Sequence, residues 1–148
     1  MEAVTDLSNE VIKLTGKDVM NGLFPSMLKR LCDFDGFDVK TAYNISFISR
    51  KAEKFMSEMY QERAKLPVKY ADKDEDGNII FVEHNGMKVP SITGENEEKV
   101  QDEMNKLLDI DLEIRKRKLD VNELTEKGYK FTANDISVLE PLLCGLED

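Results

Sequence analysis

Between Thr41 and Leu66 the chain contains neither glycine nor proline, and Ile45, Ile48, Ala52, Phe55, Met56 and Met59 recur at spacings of three and four. A helical turn takes about 3.6 residues, so these side chains fall on one face of an amphipathic helix. Such a helix would be roughly 39 Å long, and any fold open to the chain must be built along it. Its Phe and Met stripe reads as core rather than as a ligand groove. The same stripe offers a route to homo-oligomers through the long helix. Lys54 and Glu58, four apart, can pair on the solvent side. Pro67 is expected to end the helix, because its ring removes a hydrogen bond and clashes with the preceding turn.

The 148 residues suffice for one real core and show no internal repeat or linker, which implies a single domain over 1–148. The formal net charge of -9 argues against direct nucleic-acid binding, which needs clustered Lys and Arg to displace counterions. It steers the chain toward basic protein partners. The opening "MEAVTDLSNE" is acidic and lacks an apolar signal core. No apolar run approaches the ~20 residues that span a bilayer, so no membrane role is expected. Cys32 and Cys144 read as small core residues, as in an intracellular chain.

Shorter elements flank the helix. "VIKLT" (11–15) reads as a strand, and Thr15 with Asp18 as a capping box. Val19, Leu23, Met27 and Leu31 form an apolar stripe that Pro25 divides into two short helices meeting near Phe24. "IIFVEH" and "MKVPSI" flank "NG", the signature of a tight β-hairpin, with Pro90 at a strand end or edge. Residues 93–110 predict a helix burying Val100, Met104, Leu107 and Leu108, with Thr93 or Gly94 as cap. Ile110, Leu112 and Ile114 alternate as a strand expected to make the hairpin a three-stranded sheet. The basic run Arg115–Lys118 reads as its charged edge, the alternative being contact with an acidic partner or a phosphate. Thr132 with Asp135 opens a last helix, which Pro141 distorts. The fold class is therefore α+β, mostly helical.

"DKDEDGNIIFVE" (72–83) matches the EF-hand calcium loop through Asp72, Asp74, Asp76 and Glu83. Its flanks do not: Pro67 interrupts the entering helix, and Asn85, Gly86 and Pro90 break the exiting one. Ile80 stands where an oxygen ligand or water contact belongs, and "IIFV" prefers a strand. The first half reads as an acidic turn that holds calcium weakly at most. His84, the only histidine, reads as a turn residue. There is no Cys/His zinc set, phosphate-binding glycine loop or paired nucleophile and base. No catalytic residue, metal site or cofactor is assigned, and the chain is not expected to be an enzyme.

The order "KLTGKDV", "AYNISFISRKAEKF", "YQERAKLPVKYADKDEDGN" and "EMNKLLDIDLEI" resembles a family of small proteins of tailed bacteriophages and prophages, over roughly residues 12 to 143. No activity is established for that family, and no functional residue transfers. The resemblance implies a phage context, in the host cytoplasm or the virion. The expected function is non-enzymatic protein binding in virion assembly or as a minor virion component. The alternatives are an acidic inhibitor that mimics nucleic acid on a host or defence protein, and a weak calcium-dependent binder.

Overall fold

The computed structural model describes residues 11–146, so the reading of the N-terminal decapeptide lies outside the described residues. Strand β1 (Ile12–Thr15) leads directly into helix α1 (Gly16–Val19). The Thr15 hydroxyl accepts from the Asp18 amide at 3.2 Å while the Asp18 carboxylate accepts from the Thr15 amide at 2.9 Å, the expected capping box. Helix α1 stops after one turn. Helix α2 (Phe24–Asp33) then begins with Pro25 in its first turn, where a missing N–H costs nothing. This break shifts the helical frame: Phe24, Leu28 and Leu31 are buried, whereas Leu23, expected on the buried stripe, is 48% exposed.

Helix α3 (Val39–Lys69) has 31 residues, about 46 Å at 1.5 Å per residue. It runs through Pro67 rather than stopping there. So close to the helix end the proline forfeits one hydrogen bond, and the turn is still completed by the Tyr70 amide donating to the Leu66 carbonyl at 3.1 Å. Ile45, Ile48, Ala52, Phe55, Met59 and Leu66 are buried and Met56 is half-buried. Helices α1 and α2 and the later α4 (Glu95–Asp109) pack on α3, so its apolar stripe is the core.

The expected three-stranded sheet does not form. Strand β4 (Asp111–Ile114) pairs antiparallel with β1, matching Leu112 with Leu14 and Ile114 with Ile12. This choice puts Ile12, Leu14 and Ile114 against the core, fully or almost fully buried. The hairpin of β2 (Phe81–His84) and β3 (Met87–Pro90) offers no such buried face and stays two-stranded. The basic run Arg115–Lys118 is consequently not a strand edge. It connects β4 to β5 (Leu119–Asp120), which pairs in parallel with β6 (Leu143–Cys144).

Helix α4 begins after Gly94 at φ 61°, without a side-chain cap from Thr93, and its first turn carries Glu95, Glu97 and Glu98 at the positive end of the helix dipole. Leu107 is its buried residue; Val100, Met104 and Leu108 are half-buried. Its C-terminal turn meets Gly16, whose amide donates to the Ile110 carbonyl at 2.7 Å. Helix α5 (Val121–Glu126), absent from the sequence reading, is capped by the Asp120 carboxylate accepting from the Asn122 amide at 2.9 Å. Helix α6 (Ala133–Leu139) opens on the expected Thr132–Asp135 capping box, and Pro141 lies in a 3-10 turn, Glu140–Leu142. The architecture is α+β: helices around one long helix, with small two-stranded sheets. Among the described residues no helix is long and apolar enough to cross a membrane.

Candidate functional site

The β2–β3 hairpin turns at Asn85 (φ 52°) and Gly86 (φ 80°), the two left-handed residues that a tight hairpin turn requires. Alternation then places Ile80, Val82, Val89 and Met87 on one face, and Phe81 and Pro90 with the facing pair Glu83 and Lys88 on the other. In a half-buried hairpin one of these faces would lie on the core. Here Ile80, Phe81, Val82 and Met87 are 40–68% exposed, and neither strand packs substantially on another element. The hairpin is an arm carrying apolar side chains into solvent.

The root of the arm is closed by Asp72. Its backbone sits between the strands: the Asp72 amide donates to the Ser91 carbonyl at 2.7 Å, and the Ile80 amide donates to the Asp72 carbonyl at 2.9 Å. Its carboxylate accepts from the Ser91 hydroxyl at 2.8 Å, the Thr93 hydroxyl at 2.9 Å and the Thr93 amide at 3.3 Å. The Ser91 and then the Thr93 hydroxyl hold this carboxyl below its ordinary value of 3.8. A depressed value means that the clamp is fully present above pH 3.8 and is lost as the pH falls through the lower folded value. In an NMR titration the Thr93 amide, and through its hydroxyl the Ser91 amide, should therefore move as the pH falls through that lowered value, and Asp72→Asn should displace them already at neutral pH. Unmoved amides in that variant would rule the clamp out.

The four calcium-pattern carboxylates do not converge. Asp74 closes a tight turn: its carboxylate accepts from the Asp76 and Asn78 amides, each at 2.9 Å, and Gly77 takes φ 83°. Asp72 faces Ser91 and Thr93, Asp76 is exposed, and Glu83 lies on β2 opposite Lys88. Where an EF-hand has its exiting helix, this chain has a strand. Among the described residues no group of three or more His, Cys, Asp or Glu side chains could hold a metal ion. His84 ends β2, exposed, beside the turn.

Neither cysteine is a core residue. Cys32 is exposed on α2 and Cys144 is half-buried, with its sulfur 3.7 Å from the Lys118 carbonyl oxygen. Desolvation pushes both thiols up, more strongly than the nearby cations pull them down, which leaves little thiolate for nucleophilic chemistry. Cys32 lines a cleft of about 540 Å³ between α2 and α3, floored by Leu31 and Ile45 and edged by Lys29, Arg50 and Glu53. Buried Ser49 lies in this cleft and donates to Glu53 at 3.4 Å.

Among the described residues the one deeply buried carboxylate belongs to the scaffold. Asp135 is 0% exposed and accepts from the Arg30 guanidinium of α2 and from the Thr132 amide at 2.8 Å. Arg30 also donates to the Lys130 carbonyl at 2.8 Å and lies over the Tyr129 ring. Burial pushes the Tyr129 phenol up, against the pull of that guanidinium. Phe34, Phe37 and Phe131 surround the same ring, tilted or edge-on.

No family model, curated protein or solved structure matches this chain.

The "NG" turn marks the hairpin in the sequence, but not its exposure. No local signal marks that exposure: "IIFV", four consecutive apolar residues, is the pattern of a strand buried on both faces. Asp72 was read as a metal-ligand position, and its role at the arm's root depends on Ser91 and Thr93, about twenty residues away.

Proposed function

We propose that the chain is a non-enzymatic, phage-type accessory protein that binds another protein, in virion assembly or as a minor virion component, and that the β2–β3 arm is its docking element. The observation that carries this reading is the arm itself. A two-stranded hairpin is marginal in water unless something covers it, and this one exposes Ile80, Phe81, Val82 and Met87 without packing substantially on another element. Aromatic and methionine side chains are enriched at protein interfaces. The geometry also favours one edge. Pro90 has no amide to offer along β3, whereas the outward backbone groups of Phe81 and Glu83 on β2 lack that block. The phage context rests on the sequence resemblance described above.

Particles of the encoding phage, assembled with wild-type protein and with the double variant Val82→Ser/Met87→Ser, provide the test. Both substitutions lie on one exposed face, so stability should change by no more than about 0.5 kcal/mol. Quantitative mass spectrometry should find the wild-type chain in purified virions and the variant strongly depleted. Equal incorporation would remove the arm from the reading. Absence of both from virions, with a basic host protein co-purifying instead, would favour the inhibitor alternative.

A further inference from the structure

The basic turn Arg115–Lys118 lies against the aromatic residues of α3. The Lys116 ammonium is 4.8 Å from the Phe47 ring centroid and 5.5 Å from that of Tyr43; the Lys51 ammonium is 5.6 Å from Phe47. Phe47 is half-buried against the core, and Tyr43 is 56% exposed. Arg115 and Arg117 are exposed on either side of Lys116. Among the described residues none of Lys51, Arg115, Lys116, Arg117 and Lys118 forms an ion pair. In a chain of net charge -9, these five cations are a local concentration of positive charge.

We propose that this surface docks a short acidic segment of a partner protein. A cation resting on an aromatic face keeps its charge while giving up some hydration and side-chain freedom, so capturing a carboxylate costs less ordering. One feature favours an acidic peptide over nucleic acid. Lys116 and Lys51 lie over the very rings that bases would use as stacking platforms. The site shares no residue with the arm, so either can fail alone.

Fluorescence anisotropy with a labelled decaglutamate peptide and a labelled decathymidylate tests the proposal on the full chain. The peptide should bind at low salt and weaken toward about 0.15 M salt, where exposed charges are screened beyond roughly 8 Å. Arg115→Ser/Arg117→Ser should weaken it about tenfold with the melting temperature unchanged, since both side chains are exposed. Lys73→Ser/Lys99→Ser, which removes the same charge elsewhere, should leave binding intact. The proposal is overturned by no peptide binding at low salt, by equal losses in the two double variants, or by tighter binding of the decathymidylate.

Discussion

Replacing Arg30 with Ala is expected to lower the unfolding free energy by about 3 kcal/mol, the lower end of what breaking a buried ion pair costs. The guanidinium is 47% exposed, so water screens much of its own attraction. The loss arises on the other partner. Asp135 is 0% exposed, one of its oxygens has no hydrogen-bond partner, and without Arg30 the other keeps only the Thr132 amide. A stranded buried carboxylate must either remain charged in an apolar site or take up a proton. Asp135→Asn, which removes the charge and keeps the shape, should cost less than Arg30→Ala. Urea unfolding of both variants decides the matter: a loss below about 0.5 kcal/mol for Arg30→Ala, the size of an ordinary surface change, would show that the pair holds nothing together.

Gly16→Ala should cost about 2 kcal/mol, within the range for overpacking a tight contact. A Cβ there would fall against the Leu107 carbonyl oxygen, with the Leu108 Cα only 3.1 Å away. Both obstacles are backbone of α4, so no side chain can rotate aside. The backbone at Gly16 is not left-handed, so alanine would otherwise favour the helix by up to about 1 kcal/mol, partly offsetting the clash. Gly22→Ala is the matched control, since nothing lies within 4 Å of its Cβ position. It should be neutral or stabilise by about 0.4–1 kcal/mol. Equal midpoints for the two alanine variants in urea would refute the close approach of α1 to α4.

What the sequence disclosed follows the range of the interactions involved. The α3 stripe, both Thr–Asp capping boxes and the Asn85–Gly86 turn are set by residues within a few positions of one another, and each stands where its pattern predicts. The errors come from longer reach or from position within an element. Alternation marked β4 as a strand but was silent on its partner, which is β1 at the other end of the described chain. The rule that a proline stops a helix predicts an end at Pro67, yet α3 runs through it for two more residues, to Lys69. The stripe from Val19 to Leu31 assumed one continuous helix, and the break before Phe24 rotated the buried face. Of the candidate interaction surface, the hairpin was legible and its isolation was not, because exposure depends on what the rest of the chain leaves uncovered. Asp135 announced itself only as a capping residue; its ion partner Arg30 is 105 positions away.

The pairing of β1 with β4 also fixes an order of events. Translation delivers β1 first and β4 about a hundred residues later, a loop whose closure entropy must be met before the pair can form. Until then Ile12 and Leu14, both 0% exposed in the finished fold, have no strand to pair with. The two strands of the arm are separated by only Asn85 and Gly86, and a hairpin of that kind closes in about 1–10 μs. On the ribosome the arm can be complete before the core from which it projects is able to close.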